Sequence, residues 1–284
     1  MQDFQGKVAV ITGAGRGIGK GIALKCAAEG MSVVLAGPHL DSLTATAAEL
    51  RQAGAETLVV KTDVSRREEV ENLHAATLSR FGKIHLLVNN AGVVGILQSV
   101  LESSYVDWEW VMGVNFMGVL YGVKTFLPTL VAQAEECHLV NVSSLNGVIP
   151  GEAGCAPYSA SKQAVVGLSE ALYDEMKAHP HVRVSVYLPG QVNTDIADCE
   201  RNYPAGFQVP DSPEIQRSTA RLRQQLRNAL SPAQSAEILF AGLRAGSLYI
   251  GPRGFSAQHP WVAAGIQGRA ENILKEETRD LFGD

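Results

Sequence analysis

Residues 8–30 read "VAVITGAGRGIGKGIALKCAAEG". An apolar run ends at Thr12, glycines crowd positions 13, 15, 17 and 19, and a helix-period pattern follows from about residue 18. Gly13, Gly17 and Gly19 permit a tight strand-to-helix turn. They also let a diphosphate lie against backbone N–H groups at the helix N-terminus. A bare glycine motif is weak. Between a strand and a helix it points to a dinucleotide, with Ile18 and Arg16 at the contact surface.

The same rhythm extends along the chain. Apolar runs recur at 7–13, 32–37, 57–64, 84–92, 138–144, 182–190 and 247–252. They are short, rich in Val, Leu and Ile, and nearly continuous, as strands covered on both faces must be. Helical patterns at 18–29, 41–53, 67–80, 158–178 and 233–244 fall between them. The expected fold is α/β: a Rossmann-type doubly wound sheet of about seven parallel strands, helices on both faces. It is read as one NAD(P)-binding domain over residues 1–284, with a substrate lid at about 195–230 and a C-terminal extension at about 253–284. The lid breaks the rhythm with prolines, aromatics and arginines, and so long an excursion is characteristic of a binding element.

Composition narrows the function. The 284 residues carry a net charge of −5, which argues against a nucleic-acid partner. No run approaches the roughly 18 apolar residues of a membrane span, and the N-terminus lacks a signal-peptide pattern, so the expectation is a cytoplasmic protein without a membrane partner. Cys26, Cys137, Cys155 and Cys199 are scattered without metal-ligand spacing, so no metal is expected.

The second strand ends "VVLAGPHL". An acid there would bond the 2′-hydroxyl of NAD and repel the 2′-phosphate of NADP. Gly37 occupies that place. Arg16 could pair with a phosphate and His39 could assist, so NADP is favoured over NAD.

At this point the sequence resembles the short-chain dehydrogenase/reductase family over about residues 6–196. "TGAGRGIG" (12–19), Asp63-Val64, "NNAG" (89–92), Asn115, Ser144, "YSASK" (158–162) and "PGQVNT" (189–194) follow in the family's order and spacing. The resemblance implies cofactor contacts at Asn90, Ala91, Gly92, Pro189, Gly190, Val192 and Thr194. Asp63 and Val64 would lie at the adenine. It implies a catalytic tetrad of Asn115, Ser144, Tyr158 and Lys162, with Lys162 also on the nicotinamide ribose and Asn115 anchoring a relay water. Ser144 and Tyr158 stand fourteen apart, one more than the commonest spacing, so Ser143 is the alternative serine. Relatives with a C-terminal extension act on bulky hydrophobic or aromatic alcohols and ketones, dehydrogenases of lignin-derived aryl ethers among them.

The tyrosine–lysine spacing has a physical rationale. One helical turn places Tyr158 and Lys162 on one face. Bringing a phenol from a pKa of about 10 to about 7 takes about 4 kcal/mol. An ammonium about 4 Å away supplies about that at an effective dielectric of about 20, before desolvation subtracts from it. The resemblance puts the substrate among Leu97, Ser144, Asn146, Cys155, Tyr158 and Gln191, with Ile96, Val148, Ile149, Tyr203 and Phe207 as further linings. Trp108 and Trp110 read as packing. Arg217, Arg221, Arg223 and Arg227 read as a solvated lid face, the sharper alternative being attraction of an anionic substrate. The nearly all-apolar helix around 108–131 is implied to form a homodimer or homotetramer interface. The leading expectation is an alcohol dehydrogenase or ketone reductase acting on a small-molecule substrate. A non-catalytic dinucleotide sensor, and an epimerase or dehydratase of the same family, are the alternatives.

Overall fold

The computed structural model describes residues 1–252 and 260–277, apart from the side chains at 260–261 and 272–277. The expected extension at 253–259 and 278–284 lies outside the described residues. Seven strands form one parallel sheet: β1 (Val8–Thr12), β2 (Ser32–Gly37), β3 (Thr57–Lys61), β4 (Leu86–Asn89), β5 (Cys137–Val142), β6 (Val182–Tyr187) and β7 (Tyr249–Ile250). Their order is β3-β2-β1-β4-β5-β6-β7. The direction of winding reverses between β1 and β4, which opens a crevice at the carboxyl ends of those strands.

The near-continuous apolar runs have a direct cause. Successive strand side chains point to opposite faces, and here both faces are covered. Ala9, Ile11, Val33 and Leu35 pack with Ile22, Leu50 and Phe240 of α1 (Gly17–Ala28), α2 (Leu40–Gln52) and α8 (Pro232–Ala245). Val8, Val10, Val34 and Leu139 pack with Leu73, Phe126 and Val165 of α3 (Arg67–Phe81), α5 (Gly118–Ala132) and α6 (Ala156–Glu175). Both sides of these strands are therefore mostly apolar, the buried His138 and Asn141 of β5 being exceptions.

Three features depart from the sequence expectation. The apolar helix divides into α4 (Tyr105–Met112), a π-turn (Gly113–Met117) and α5. Together, Tyr105–Ala132 is by length and composition apolar enough to cross a membrane, contrary to the expectation that no segment is. Packing against the sheet explains part of that apolarity, since Val119, Val123, Phe126 and Leu130 are core residues. The last strand is only two residues long. The segment expected as a lid carries a 3₁₀ segment (Asp195–Asn202) and α7 (Pro213–Arg227), the latter the helix on which the arginines were expected. Its two ends are pinned together: Asn193 N–H donates to Leu230 O at 2.8 Å, and Leu230 N–H to Gln191 O at 3.3 Å. The final helix, α9 (Pro260–Glu277), buries Val262 against Leu145, Ile149 and Leu188.

Candidate active site

The glycine turn is shaped by close approach. Gly13 has φ +66°, and a Cβ there would stand 2.9 Å from Asn90 Nδ2. Asn90 is held to the first strand from both directions: its N–H donates to Thr12 Oγ1 (2.9 Å) and its side-chain amide to Thr12 O (2.8 Å). The Ala91 N–H also donates to Thr12 Oγ1, at 3.0 Å. The β1 and β4 ends thus form one rigid floor, with the N-terminus of α1 opening onto it. A side chain at Gly13 would collide with Asn90 and Ala91, so glycine lets the turn close on the β4 end, and the helix N-terminus opening beside it fits the diphosphate of a dinucleotide.

A cleft of about 400 Å³ runs from this floor in two directions. One end is bordered by Gly37, Pro38, His39, Asp63 and Val64, the other by Val93, Trp110, Tyr158, Lys162, Ile196, Cys199 and Tyr203. Among the predicted cofactor residues, Gly13, Arg16, Gly17, Ile18, Gly19, Asn90, Ala91, Gly92, Pro189 and Thr194 also border it. Gly190 and Val192 do not; Val192 is buried and bridges to Leu230.

The predicted tetrad converges. Asn115 is completely buried on the π-turn. Its Oδ1 accepts from the Val93 N–H at 2.8 Å, and its amide donates to Val93 O (2.9 Å) and Ser161 Oγ (3.0 Å). The extra residue of a π-turn re-aims a side chain that a regular helix would point elsewhere. Lys162, 3% exposed, donates from Nζ to Val142 O at 3.0 Å. Gly92 lies so close that a Cβ there would come 3.3 Å from Nζ and 3.4 Å from Asn115 Oδ1. The two serines separate cleanly. Ser143 Oγ donates to Lys162 O at 2.7 Å and ties β5 to α6, and Ser143 also borders the cleft. Ser144 Oγ accepts from the Asn146 N–H at 3.3 Å and acts on the Tyr158 phenol, whose pKa it lowers.

The electrostatics differ from the spacing argument. Burial pushes the Tyr158 phenol up to about 12, opposed by its hydrogen bond to Ser144. Burial also pulls the Lys162 ammonium down to about 8. The lysine nitrogen is 5.7 Å from the tyrosine ring centre and is bonded to a carbonyl instead. Desolvation outweighs Coulomb attraction here, so Tyr158 holds its proton and Lys162 its charge near neutrality.

The expected substrate residues are redistributed. Leu97 joins Val94, Ile215 and Leu222 around a small separate void. Val148 and Ile149 pack against Val262 of α9. Asn146 donates to Ser159 Oγ at 3.3 Å, Cys155 is buried among Val93, Val94 and Val111, and Gln191 is exposed. Trp110, expected as packing, borders the cleft and packs at a tilt against Tyr203, ring centres 4.6 Å apart; Tyr203 in turn meets Phe207 at 4.9 Å. No spacing rule pointed to Trp110, Val93, Ile196 or Cys199 as wall residues, because the lid's docking brings them together. Of the lid arginines, Arg223 pairs with Asp198 at 2.6 Å; Arg217, Arg221 and Arg227 are exposed, outside the cleft. No cluster of metal-ligating side chains occurs among the described residues.

This geometry has counterparts. A family model described as short chain dehydrogenase matches residues 7–203. A crystal structure of a short chain dehydrogenase/reductase from Burkholderia phymatum in complex with NAD is 39% identical, covers 100% of this chain and 99% of its own, and superposes with a TM-score of 0.89. A CLA biosynthesis dehydrogenase/reductase from Lactiplantibacillus plantarum is 32% identical over 99% of this chain and 98% of its own. A C alpha-dehydrogenase from Sphingobium sp. is 31% identical over 96% and 87%. With a glycine-floored cleft, seven parallel strands and a family match across most of its length, this chain belongs to the short chain dehydrogenase family and is an oxidoreductase of the nicotinamide-dependent kind.

Proposed function

We propose that this protein transfers a hydride between a nicotinamide dinucleotide and a secondary alcohol or ketone of hydrophobic or aromatic character. The observation that carries the reading is the meeting of Tyr158 and Lys162 at the apolar end of the glycine-floored cleft, with Ser144 acting on the phenol. The cofactor, when bound, supplies or accepts the hydride and in its oxidised form adds a positive ring. Everything else is the chain's work. Tyr158, protonated near neutrality, donates to the substrate oxygen in the direction of reduction. Ser144 holds that oxygen against the phenol. Lys162 holds its charge behind the phenol and, for oxidation, favours the phenolate once a second cation is near. Asn115 fixes the Val93 segment through both the N–H and the carbonyl of that residue.

Val93, Trp110, Val114, Ile196 and Tyr203 offer an apolar wall with an aromatic pair, which supports a ketone or alcohol of that character. For the cofactor, Gly37 in place of an acid, with Arg16 and His39 on the same cleft, supports NADP over NAD. A homodimer or homotetramer is the proposed assembly. Only 39% of the most apolar window within Tyr105–Ala132 is buried within one chain, which leaves a face for a second copy.

The test is NADPH and NADH oxidation with a panel of aryl and aliphatic ketones, native protein against Tyr158→Phe. The variant is expected to lose turnover by a factor of about 10² or more while still binding cofactor. Equal turnover in both proteins would refute Tyr158 as the proton donor. A preference for NADH would refute the cofactor assignment alone.

A further inference from the structure

The lid reaches the adenosine end of the cleft as well as the substrate end. Its 3₁₀ segment lays Asn202 against the close of β2, where Asn202 Oδ1 stands 2.6 Å from His39 Nε2. The neighbouring residue, Arg201, borders the same cleft as Gly37, Pro38 and Ser42. Two guanidiniums from opposite walls share one carboxylate there: Arg16 Nη1 is 3.4 Å from Asp195 Oδ2, and Arg201 Nη2 is 4.0 Å from the same oxygen. Arg201 is further steadied by Asp198 O at 2.9 Å and Asp195 O at 3.4 Å.

We propose that Arg201, carried by the lid, is a specificity-determining residue that joins Arg16 in holding the 2′-phosphate of the cofactor, with Asp195 as the internal counter-ion which that phosphate displaces. The inference rests on the reading of this protein as an NADP-preferring dehydrogenase and names the group that produces the preference. Three observations carry it. The pair of arginines around a single carboxylate leaves one positive charge over, and a phosphate dianion satisfies both forks better than one carboxylate does. The ion pairs are half-exposed, 57% and 35% at the arginines and 51% at the aspartate, and pairs of that kind are held weakly enough to be exchanged. The floor is open: a Cβ at Gly37 would meet nothing nearer than Leu43 at 3.6 Å. Two nearby acids are occupied elsewhere, Asp63 with Ser65 at 2.7 Å and Asp198 with Arg223 at 2.6 Å.

The consequence is a coupling between cofactor choice and lid position. A 2′-phosphate would hold the lid on β2, whereas NAD would leave Asp195 between the arginines.

The test measures dissociation constants for NADPH, NADH and 2′-AMP by fluorescence titration and calorimetry, without substrate, on the native protein, Arg201→Gln and Asp195→Asn. Arg201→Gln is expected to weaken NADPH and 2′-AMP by about tenfold, the size of one lost charge-assisted hydrogen bond at a half-exposed site, and NADH by less than about twofold. Asp195→Asn is expected to shift the NADPH-to-NADH ratio the opposite way. In native protein the ratio is expected to shrink as salt is raised. If the native protein prefers NADPH and Arg201→Gln leaves the ratio unchanged, the role of Arg201 is overturned while the NADP reading stands. If the native protein binds NADH as tightly as NADPH and ignores 2′-AMP, both fall together.

Discussion

Replacing Lys162 by Met is expected to make the protein more stable at neutral pH and inactive. The lysine is 3% exposed, and burial pulls its pKa from 10.5 to about 8. A fall of about 2.5 units corresponds to about 3 kcal/mol by which folding disfavours the charged form. Methionine removes that cost but also removes the bond to Val142 O, at a loss of about 1–2 kcal/mol. The variant should therefore gain on the order of 1–2 kcal/mol at pH 7. The pH dependence is the sharper signature. Between about pH 8 and 10.5 the unfolded chain holds a proton on Lys162 that the folded chain has released, so native stability rises with pH in that window. The Met variant has no such proton to release. Its advantage should shrink above pH 8 and reverse by about pH 10. Urea unfolding at fixed protein concentration, across pH 7–10, reads the difference between the two proteins. Tyrosines and cysteines that titrate in both cancel from it. A difference that stays flat across this range would refute the claim that Lys162 is held charged at a cost to the fold.

Other outcomes follow from the same kind of reasoning. His138 is buried with Nε2 2.7 Å from Ser185 Oγ; since that hydroxyl itself donates to Ser247 O, the imidazole donates from Nε2. Its Nδ1 has no partner, and burial with the nearby Met1 ammonium and Arg183 guanidinium pushes its pKa down to about 3. Its neutral form is thus favoured in the fold, and stability should fall as pH drops from 6.5 toward 3. A His138→Leu protein should show a flatter acid limb by urea unfolding; parallel native and variant curves would refute this. Trp110→Ala removes the ring that packs at a tilt against Tyr203 on the cleft wall, and an aromatic pair of that kind with an aryl substrate is worth about 1 kcal/mol. KM for aryl ketones should rise about fivefold with little change for small aliphatic ones, and an equal rise for both would place Trp110 in packing alone.

Much of the site was legible because its parts are local. A strand–turn–helix with glycines at 13, 17 and 19 specifies a phosphate cradle from neighbours in the chain. A tyrosine and a lysine one turn apart must share a helix face, as they do on α6. The buried strands were readable because sheet faces covered on both sides favour apolar residues, with only a few hydrogen-bonded exceptions such as His138, Asn141 and Ser185. Other features were not legible. The π-turn that aims Asn115 differs from a regular helix by one residue in its hydrogen-bond frame, and the composition of Gly113–Met117 does not announce it. The sign of the tyrosine's shift could not be read from spacing either, because it depends on how much water the fold removes from Tyr158 and Lys162.

The sequence by itself determined the doubly wound sheet and the position of the cleft at the strand ends, since each follows from periodicity or from motifs of a few residues, while Asn115, Ser144, Tyr158 and Lys162 were named from the resemblance of their motifs to a family. Only the tertiary structure decided what surrounds them. Trp110 faces Tyr203, and Arg16 meets Asp195 and Arg201, because the segment from Asp195 to Tyr203 folds back across the cleft from far along the chain. The physical reason is one of range: turn geometry and helical period act over a few residues, whereas burial and charge pairing are set by whatever the folded chain brings alongside.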